Sequence, residues 1–301
     1  MASIETVIIP AGGLGTRCLP ATKAIPKELL PVGDRPALQF GVEEARASGI
    51  RRTVLVTGPG KQALAWHFTA DPRVEEALTA RGETVLLEQL RAINRLTELQ
   101  VVVQPEPRGL GDAVRCAASL VAGEAAVAGL LPDDLFVGAT PLLRQLIDAY
   151  ERHRCPVVAL RRCPASEIGR YGVAAVRGAG PIYQVTDLVE KPAPQDAPSD
   201  LAVMGRYVLT PAVFAGLERT PPGALGEVQL TDGIRAALDD GPVVGVEYSG
   251  RLLDVGTLEG WVRTLVELLP DHPRLGPVWR AALSATGQSG AGDDRSNRDR
   301  D

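Results

Sequence analysis

Pro10-Ala-Gly-Gly-Leu-Gly-Thr-Arg-Cys-Leu-Pro-Ala-Thr-Lys-Ala-Ile-Pro-Lys-Glu-Leu-Leu-Pro31 is the most informative stretch of the chain. It follows the apolar run Thr6-Val-Ile-Ile-Pro10, whose lack of alternation predicts a strand buried on both faces of a parallel sheet. Gly12, Gly13 and Gly15 then free the backbone, so that the N–H groups from Ala11 to Thr16 can come close to a phosphate chain. Arg17, Lys23 and Lys27 follow, separated by prolines, and can neutralise such a chain. A buried strand, a glycine loop and nearby cations read together as a site for a nucleoside triphosphate, built for transfer at a phosphate.

Two other phosphate motifs fail on spacing. A dinucleotide fingerprint needs its third glycine or alanine on a helix that starts at once. Here Gly13-x-Gly15-x-x ends at Cys18, and Pro20 and Pro26 forbid a regular helix. A Walker loop needs Gly-Lys followed by Ser or Thr, but Gly60-Lys61 is followed by Gln62 and position 55 is Leu. A tight turn with no ligand is the alternative for the glycines alone, and Arg17 and Lys27 in the same loop argue against it.

The 301 residues, 45 % hydrophobic, suffice for one large α/β domain or two small ones. A formal charge of −5 gives no general affinity for nucleic acid, so phosphate binding must come from local cations. No apolar run approaches a membrane span, and the N-terminus lacks a signal pattern. Cys18, Cys116, Cys155 and Cys163 form no C-x-x-C pair and, with three scattered histidines, no zinc site. Reduced thiols in a cytoplasmic enzyme are expected, with Cys18 buried and inert.

Apolar runs at Val7–Pro10, Thr53–Val56, Gln100–Val103, Val127–Leu131 and Val157–Leu160 read as buried strands. Ala37–Ser48, Glu75–Leu96 with a break at Gly82, Asp112–Leu120 and Pro141–His153 read as helices between them. This alternation predicts an α/β fold with a mixed, mainly parallel sheet flanked by helices. After Tyr171, Gly172–Val176 and Tyr183–Val189 flank a hairpin turn at Gly178–Pro181. With strands at Val203–Leu209 and Val243–Tyr248 and a helix at Leu258–Leu269, the second half reads as an antiparallel extension. No linker divides the chain. One domain over 1–286 is expected, with a nucleotide half at about 5–160, a second half at about 161–268, which the family resemblance given below makes the sugar half, and a C-terminal helix at 269–286. The polar stretch 287–301 should be disordered.

Transfer at a phosphate demands charge neutralisation and alignment rather than covalent help from the protein. Arg17 and Lys27 are the candidates for the β- and γ-phosphates and the leaving group; their alternative is an ordinary ion pair. Asp133, beyond a buried strand and Pro132, is placed to hold a hard cation that bridges phosphates. A cap or Asx-turn is its other role, and Asp134 is the alternative ligand. Asp254 lies in Leu252-Leu-Asp-Val-Gly-Thr257, where Thr257 can cap the next helix. Two carboxylates far apart in sequence suit Mg²⁺, which keeps waters and borrows phosphate oxygens. Gln104 ends a strand and can offer both donor and acceptor to a base edge, and Gly109 lets backbone groups reach the same ring. Glu190 and Lys191 pair an acid for hydroxyls with a cation for phosphate; an exposed charge pair is the plainer reading.

The loop pattern A-G-G-x-G-T-R-x-x-P-x-T-x-x-x-P-K resembles the signature of the sugar-1-phosphate nucleotidylyltransferases, and Leu19–Pro31 resembles its bacterial UTP–glucose-1-phosphate uridylyltransferases. The likeness runs from about residue 5 to about 268. It includes Gln104–Ala113, Leu131–Asp134, Val189–Pro192, Val203–Val208, Gly226–Asp232 and Leu253–Thr257 in family order. It implies a Rossmann-like nucleotide-diphospho-sugar transferase fold and a transfer from UTP to glucose 1-phosphate. It further implies Mg²⁺ on Asp133 and Asp254, uracil at Gln104 and Gly109, hexose at Glu190 and sugar phosphate on Lys191. Gly172 and Gly205 would allow close approach of the hexose, Arg206 would touch the sugar phosphate or equally serve in structural pairing, and Glu227–Asp232 would shape the sugar pocket or an interface. A homo-oligomer, dimer or tetramer, is implied, with Leu258–Leu269 and Val278–Leu283 as a contact face. Transfer from dTTP, use of another sugar phosphate and a non-catalytic binding paralogue are the alternatives.

Overall fold

The computed structural model describes residues 4–223 and 226–289. Its strands are β1 (Thr6–Ala11), β2 (Pro31–Val32), β3 (Arg35–Pro36), β4 (Arg52–Thr57), β5 (Glu98–Val103), β6 (Val127–Leu130) and β7 (Asp134–Val137). They continue with β8 (Val157–Arg162), β9 (Gly172–Arg177), β10 (Ile182–Glu190), β11 (Leu201–Leu209), β12 (Val243–Glu247) and β13 (Arg251–Asp254). The helices are α1 (Ala37–Ala47), α2 (Ala63–Trp66), α3 (Pro72–Ala80), α4 (Thr84–Asn94), α5 (Leu110–Cys116) and α6 (Leu142–His153). After them come α7 (Ala165–Ile168), α8 (Pro211–Arg219), α9 (Leu230–Ala237), α10 (Leu258–Leu268) and α11 (Gly276–Ser289).

One sheet of nine strands, in the order β5-β4-β1-β6-β11-β8-β12-β10-β9, runs through the molecule. β5, β4, β1 and β6 are mutually parallel, as the βα alternation predicts. Successive residues of β1 face opposite layers. Val7, Ile9 and Ala11 pack with Leu38 and Val42 of α1 and Leu142, Leu146 and Ile147 of α6. Ile8 packs on the other face with Val114 of α5, Leu217 of α8 and Ile234 of α9. The buried sheet is therefore covered by helices on both sides.

The two halves interleave within this one sheet. β11 pairs antiparallel with β6 on one side and with β8 on the other. β8, expected among the parallel strands, is parallel to β12 and is parted from β6 by β11. β11 is buried along its whole length, as a central strand must be. The hairpin β9–β10 forms the far edge as expected. β5 is the other edge, and Val101 and Val103 are about half exposed (46 % and 50 %) rather than buried.

The helical expectation at Glu75–Leu96 resolves into α3 and α4, broken where Gly82 takes φ +69°. Asp71 caps α3 by accepting from Arg73 N at 3.1 Å, and Pro72 begins it. The C-terminal helix is shorter at its start than expected and continues through Ser289. The rest of the expected tail, 290–301, lies outside the described residues. The ribbon of β7 and β13 has no counterpart in the sequence reading, yet it assembles the site. It pairs Asp254 with Asp134 in register.

Candidate active site

The carboxyl end of β1 delivers the glycine loop to the edge of a cavity of about 440 Å³. Gly15 sits at φ +67°, a backbone that L side chains resist, and Thr22 Oγ1 donates to its carbonyl at 2.9 Å. Below the loop, Lys61 Nζ donates to Ala11 O at 2.7 Å and lies 3.2 Å from Glu28 Oε2. Glu28 is 2 % exposed; burial pushes its carboxyl up, against the pull of Lys61 and Lys27. Lys61 therefore braces the start of the glycine loop, a role the failed Walker spacing did not suggest.

Ala11, Gly12, Gly13, Thr16, Lys27, Gln104, Gly109 and Asp133 all line this one cavity, which makes eight of the expected residues neighbours. Lys27 Nζ lies 2.5 Å from Asp133 Oδ2. Burial acts to lower the Lys27 ammonium, but the charge and hydrogen bond of Asp133 outweigh it and hold the group above its ordinary range. Burial likewise acts to raise Asp133, and Lys27 with the backbone hydrogen bond brings it below the usual carboxylate range. Asp133 is thus an ionised partner of Lys27 rather than a helix cap.

Asp254 arrives on the β7–β13 ribbon, and Val255 N donates to Asp133 O at 2.9 Å. Gly256 marks the convergence point. A Cβ there would meet Asp133 Oδ2 at 2.8 Å, Asp254 Oδ1 at 3.0 Å and Arg17 Nη2 at 3.5 Å. The absent side chain lets two carboxylates and a guanidinium close around one point. Gly256 N donates to Asp254 Oδ1 at 2.7 Å, and Arg170 Nη2 lies 3.3 Å from Asp254 Oδ2. Among the described residues no group of three or more His, Cys, Asp or Glu could hold a metal. Two hard-oxygen donors that converge on one point still fit Mg²⁺, which commonly takes one or two carboxylates and fills its octahedron with water and phosphate. Asp134 is partly exposed and its carboxyl is pushed up to about 7, first by desolvation and then by the charge of Asp133. Thr257 Oγ1 accepts from Gly260 N at 3.0 Å and caps α10 as the sequence suggests. Cys18 is buried against Gly256 O at 3.5 Å, and burial pushes its thiol up.

Gln104 is not an exposed loop residue: it is 4 % exposed. Its Nε2 donates to Asp112 Oδ2 at 2.8 Å and to Gly109 O at 3.2 Å. Gly109 has φ +102°, and a Cβ there would lie 3.0 Å from Val228 N and 3.1 Å from Glu227 Cβ. Val228 N donates to Arg108 O and Gly111 N to Val228 O, each at 2.8 Å. The block Glu227–Asp232 therefore braces the loop around Gly109. It also reaches the second cluster, where Thr231 Oγ1 donates to Glu190 Oε2 at 2.7 Å.

Glu190, Lys191 and Gly172 are brought together there. Lys191 Nζ lies 3.3 Å from Glu190 Oε1, and its φ of +44° turns the chain sharply at the end of β10. A Cβ on Gly172 would meet Thr231 Oγ1 at 2.7 Å and Glu190 Oε2 at 3.2 Å. Lys191 N donates to Tyr171 O at 3.0 Å, so the segment Arg170–Gly172 links the Asp254 cluster to the Glu190 cluster.

Of two candidate sugar contacts, Arg206 takes its structural alternative and Gly205 is corrected. Arg206 is 1 % exposed, and its guanidinium donates to Glu44 Oε2, Leu131 O, Gly205 O and Asp134 O at 2.8–3.0 Å. It packs over the Phe136 ring and anchors the start of β7 to α1, with no donor turned to the cavity. A Cβ on Gly205 would collide with Asp134 Oδ2 and lie 2.8 Å from Leu131 Cβ. That glycine makes room for protein, not for hexose. Arg170, Thr231, Lys61, Asp112 and Gly256 were missed. Of these, Asp112, Gly256 and Thr231 sit in blocks that the sequence singled out.

A mixed sheet that carries a glycine loop, paired cations and two convergent carboxylates at its carboxyl edge defines a nucleotidyltransferase. The family described as nucleotidyl transferase matches residues 6–269, and the chain belongs to it. Among curated proteins, the UTP–glucose-1-phosphate uridylyltransferase of Bacillus subtilis (strain 168) is 42 % identical over 268 residues, 89 % of this chain and 91 % of the relative. That of Streptococcus pneumoniae serotype 4 is 43 % identical over 282 residues, 91 % of this chain and 93 % of the relative. Among solved structures, a UTP-bound UGPase of Acinetobacter baumannii superposes with a TM-score of 0.86 at 33 % identity, covering 93 % of this chain and 99 % of that one. A UDP-glucose pyrophosphorylase complexed with UDP-glucose gives 0.80 at 34 % identity, covering 89 % and 100 %. Enzymes of this family generally use a divalent metal. Among the described residues no helix is long and apolar enough to cross a membrane.

Proposed function

We propose that the protein transfers the uridylyl group of UTP to α-D-glucose 1-phosphate, giving UDP-glucose and pyrophosphate. The convergence of Lys27, Arg17, Asp133 and Asp254 around Gly256, at the end of the glycine loop, carries this reading. An oxygen of the sugar phosphate attacks the α-phosphorus in line. One P–O bond forms, the bond to the β-phosphate bridging oxygen breaks, and pyrophosphate leaves with no enzyme-bound intermediate. Lys191 steadies the attacking phosphate, and Glu190 receives the hexose hydroxyls. Arg17 and Lys27 stabilise the charge that gathers on the leaving pyrophosphate. Ala11, Gly12, Gly13, Gly15 and Thr16 line the triphosphate, and Gln104 and Gly109 receive the base. Asp133 and Asp254 would hold Mg²⁺, which supplies neutralisation of the phosphate oxygens when bound.

A cytoplasmic site of action belongs to the same reading, supported by a nucleotide substrate and four free thiols. So does a homo-oligomer, dimer or tetramer. Its support is the exposure of Val262 and Val266 on α10 and of Val278 and Leu283 on α11. Light scattering during size-exclusion chromatography tests it, and a monomer would remove it.

The deciding assay is pyrophosphate release from glucose 1-phosphate and Mg²⁺ with UTP, dTTP, ATP, CTP or GTP. Strong release with UTP is expected, abolished by EDTA and restored by excess Mg²⁺. A preference for dTTP would keep the mechanism and change the product. Silence with every nucleotide would overturn the proposal for this sugar.

A further inference from the structure

Gln104 faces two groups that can only accept. Its Nε2 donates 2.8 Å to Asp112 Oδ2 and 3.2 Å to Gly109 O. A backbone carbonyl has no proton to give. The Asp112 carboxylate accepts on its other oxygen from Arg115 Nη2, 2.7 Å away. The opposite orientation of the Gln104 amide would set its carbonyl oxygen against both acceptors, so chemistry alone determines which way it points. The backbone is also held, with Gln104 N donating to Thr57 O at 2.8 Å. Oε1 then faces the glycine loop. It lies 2.8 Å from where a Cβ on Gly12 would stand, at the wall of the cavity that Gly12, Gly109 and Leu110 line.

We propose that Asp112 is a positioning residue that locks the Gln104 amide with its acceptor toward the base. The site thereby selects a pyrimidine that carries a proton on ring nitrogen 3. This deepens the function proposed above and rests on it. Uracil and thymine bear N3–H and give Oε1 its donor. Cytosine presents a lone pair at N3, which would set two acceptors face to face in a buried spot. A free glutamine could turn its amide to suit either base. One pinned on its far side cannot. Discrimination thus comes from a residue that touches no part of the nucleotide, since Asp112 is buried behind Gln104 on the first turn of α5.

The test compares kcat and KM for UTP and CTP in the wild type, Asp112→Asn and Asp112→Ala, each with a thermal melt. The wild type should prefer UTP strongly. Asp112→Asn is isosteric and can donate as well as accept, so it removes the nearer of the two acceptors that pin the amide and leaves only the longer bond to Gly109 O against the turned orientation. Its UTP-to-CTP ratio of kcat/KM should fall roughly 10–100-fold, mostly through a raised KM for UTP and a lowered KM for CTP. A merely structural role on the first turn of α5 would lower the melting temperature and leave that ratio where it was. A wild type that prefers UTP with an unchanged ratio in the folded variant overturns the inference and spares the function. A wild type that prefers neither UTP nor dTTP overturns both. If both variants fail to fold, Arg115→Gln, at a more exposed position, should lower the ratio by a smaller factor; an unchanged ratio there also overturns the inference.

Discussion

Lys27 and Asp133 are held together by opposing effects of similar kind. Each is penalised by burial, and each is kept charged by the other at 2.5 Å. Removing the cation strands a carboxylate and takes away the charge set against the leaving group. Lys27→Ala should lower kcat by roughly 10²–10³-fold with little change in the far-ultraviolet spectrum. Near-normal turnover would sink the assignment. Arg206 makes the opposite expectation. Its guanidinium serves Glu44 and three backbone carbonyls, so Arg206→Ala leaves buried acceptors and a buried carboxylate unpaired. Urea unfolding should show a loss of about 3–5 kcal/mol, whereas a surviving fold with a raised KM for sugar phosphate would return Arg206 to the substrate. His67 titrates in the same spirit. Burial lowers its pKa from 6.5, while Nε2 pairs with Gln39 Oε1 at 2.9 Å. The unfolded chain takes up the proton first, so stability present above about 6.5 drains away as the pH falls toward the folded value. His67→Gln should flatten that acid-side slope in urea midpoints measured from pH 7.5 to 5.5. Parallel slopes in the two proteins would show that His67 does not contribute.

The ribbon of β7 and β13 explains both what the sequence revealed and what it hid. Asp133 and Asp254 stand out in their local blocks, each beside turn residues and after apolar runs. Nothing local says that residues 134–137 and 251–254 pair, because the partners are more than a hundred positions apart and each run is only four residues long. The same limit hid Asp112 and Lys61, whose work is to brace Gln104 and Ala11 across distant segments. Gly205 and Arg206 were legible as unusual residues in a strand, but their neighbours Asp134 and Glu44 come from elsewhere in the chain, so the cavity seemed the target of Gly205 and nothing local chose between substrate and pairing for Arg206. Ribbon geometry also yields its own test at Gly256. An added methyl group would fall 2.8 Å from Asp133 Oδ2 and 3.0 Å from Asp254 Oδ1, forcing the carboxylates apart. Gly256→Ala should raise the Mg²⁺ concentration needed for half-maximal activity and lower kcat by roughly 10²-fold, as small misplacements at a reacting centre do. An unchanged Mg²⁺ titration would mean that the two acids do not share an ion.

At the scale of the whole molecule, the strands and most helices were readable because each carries its own periodicity, whereas the order of strands in the sheet is not a local property. A run of buried residues such as Leu201–Leu209 looks the same at the centre of a sheet as in a separate antiparallel layer. Its place between β6 and β8 decides how the protein folds, for it fastens the parallel strands that carry the glycine loop to the strands of the second half through ladders on both edges. The site lies across that seam, with the glycine loop on β1, Asp254 on β13 and Glu190 on β10. Cooperative folding of the two halves is therefore a condition of function. A fragment of residues 1–160 would expose β6 along the edge that β11 covers and would leave β8 with neither β11 nor β12. Open, apolar strand edges of that kind aggregate rather than stand alone. The fragment should be insoluble or lack a cooperative thermal transition. In the intact chain, circular dichroism and tryptophan fluorescence should report one coincident urea transition. A soluble fragment that melts cooperatively, or two separated transitions in the whole protein, would show that the halves are independent domains that merely share a sheet.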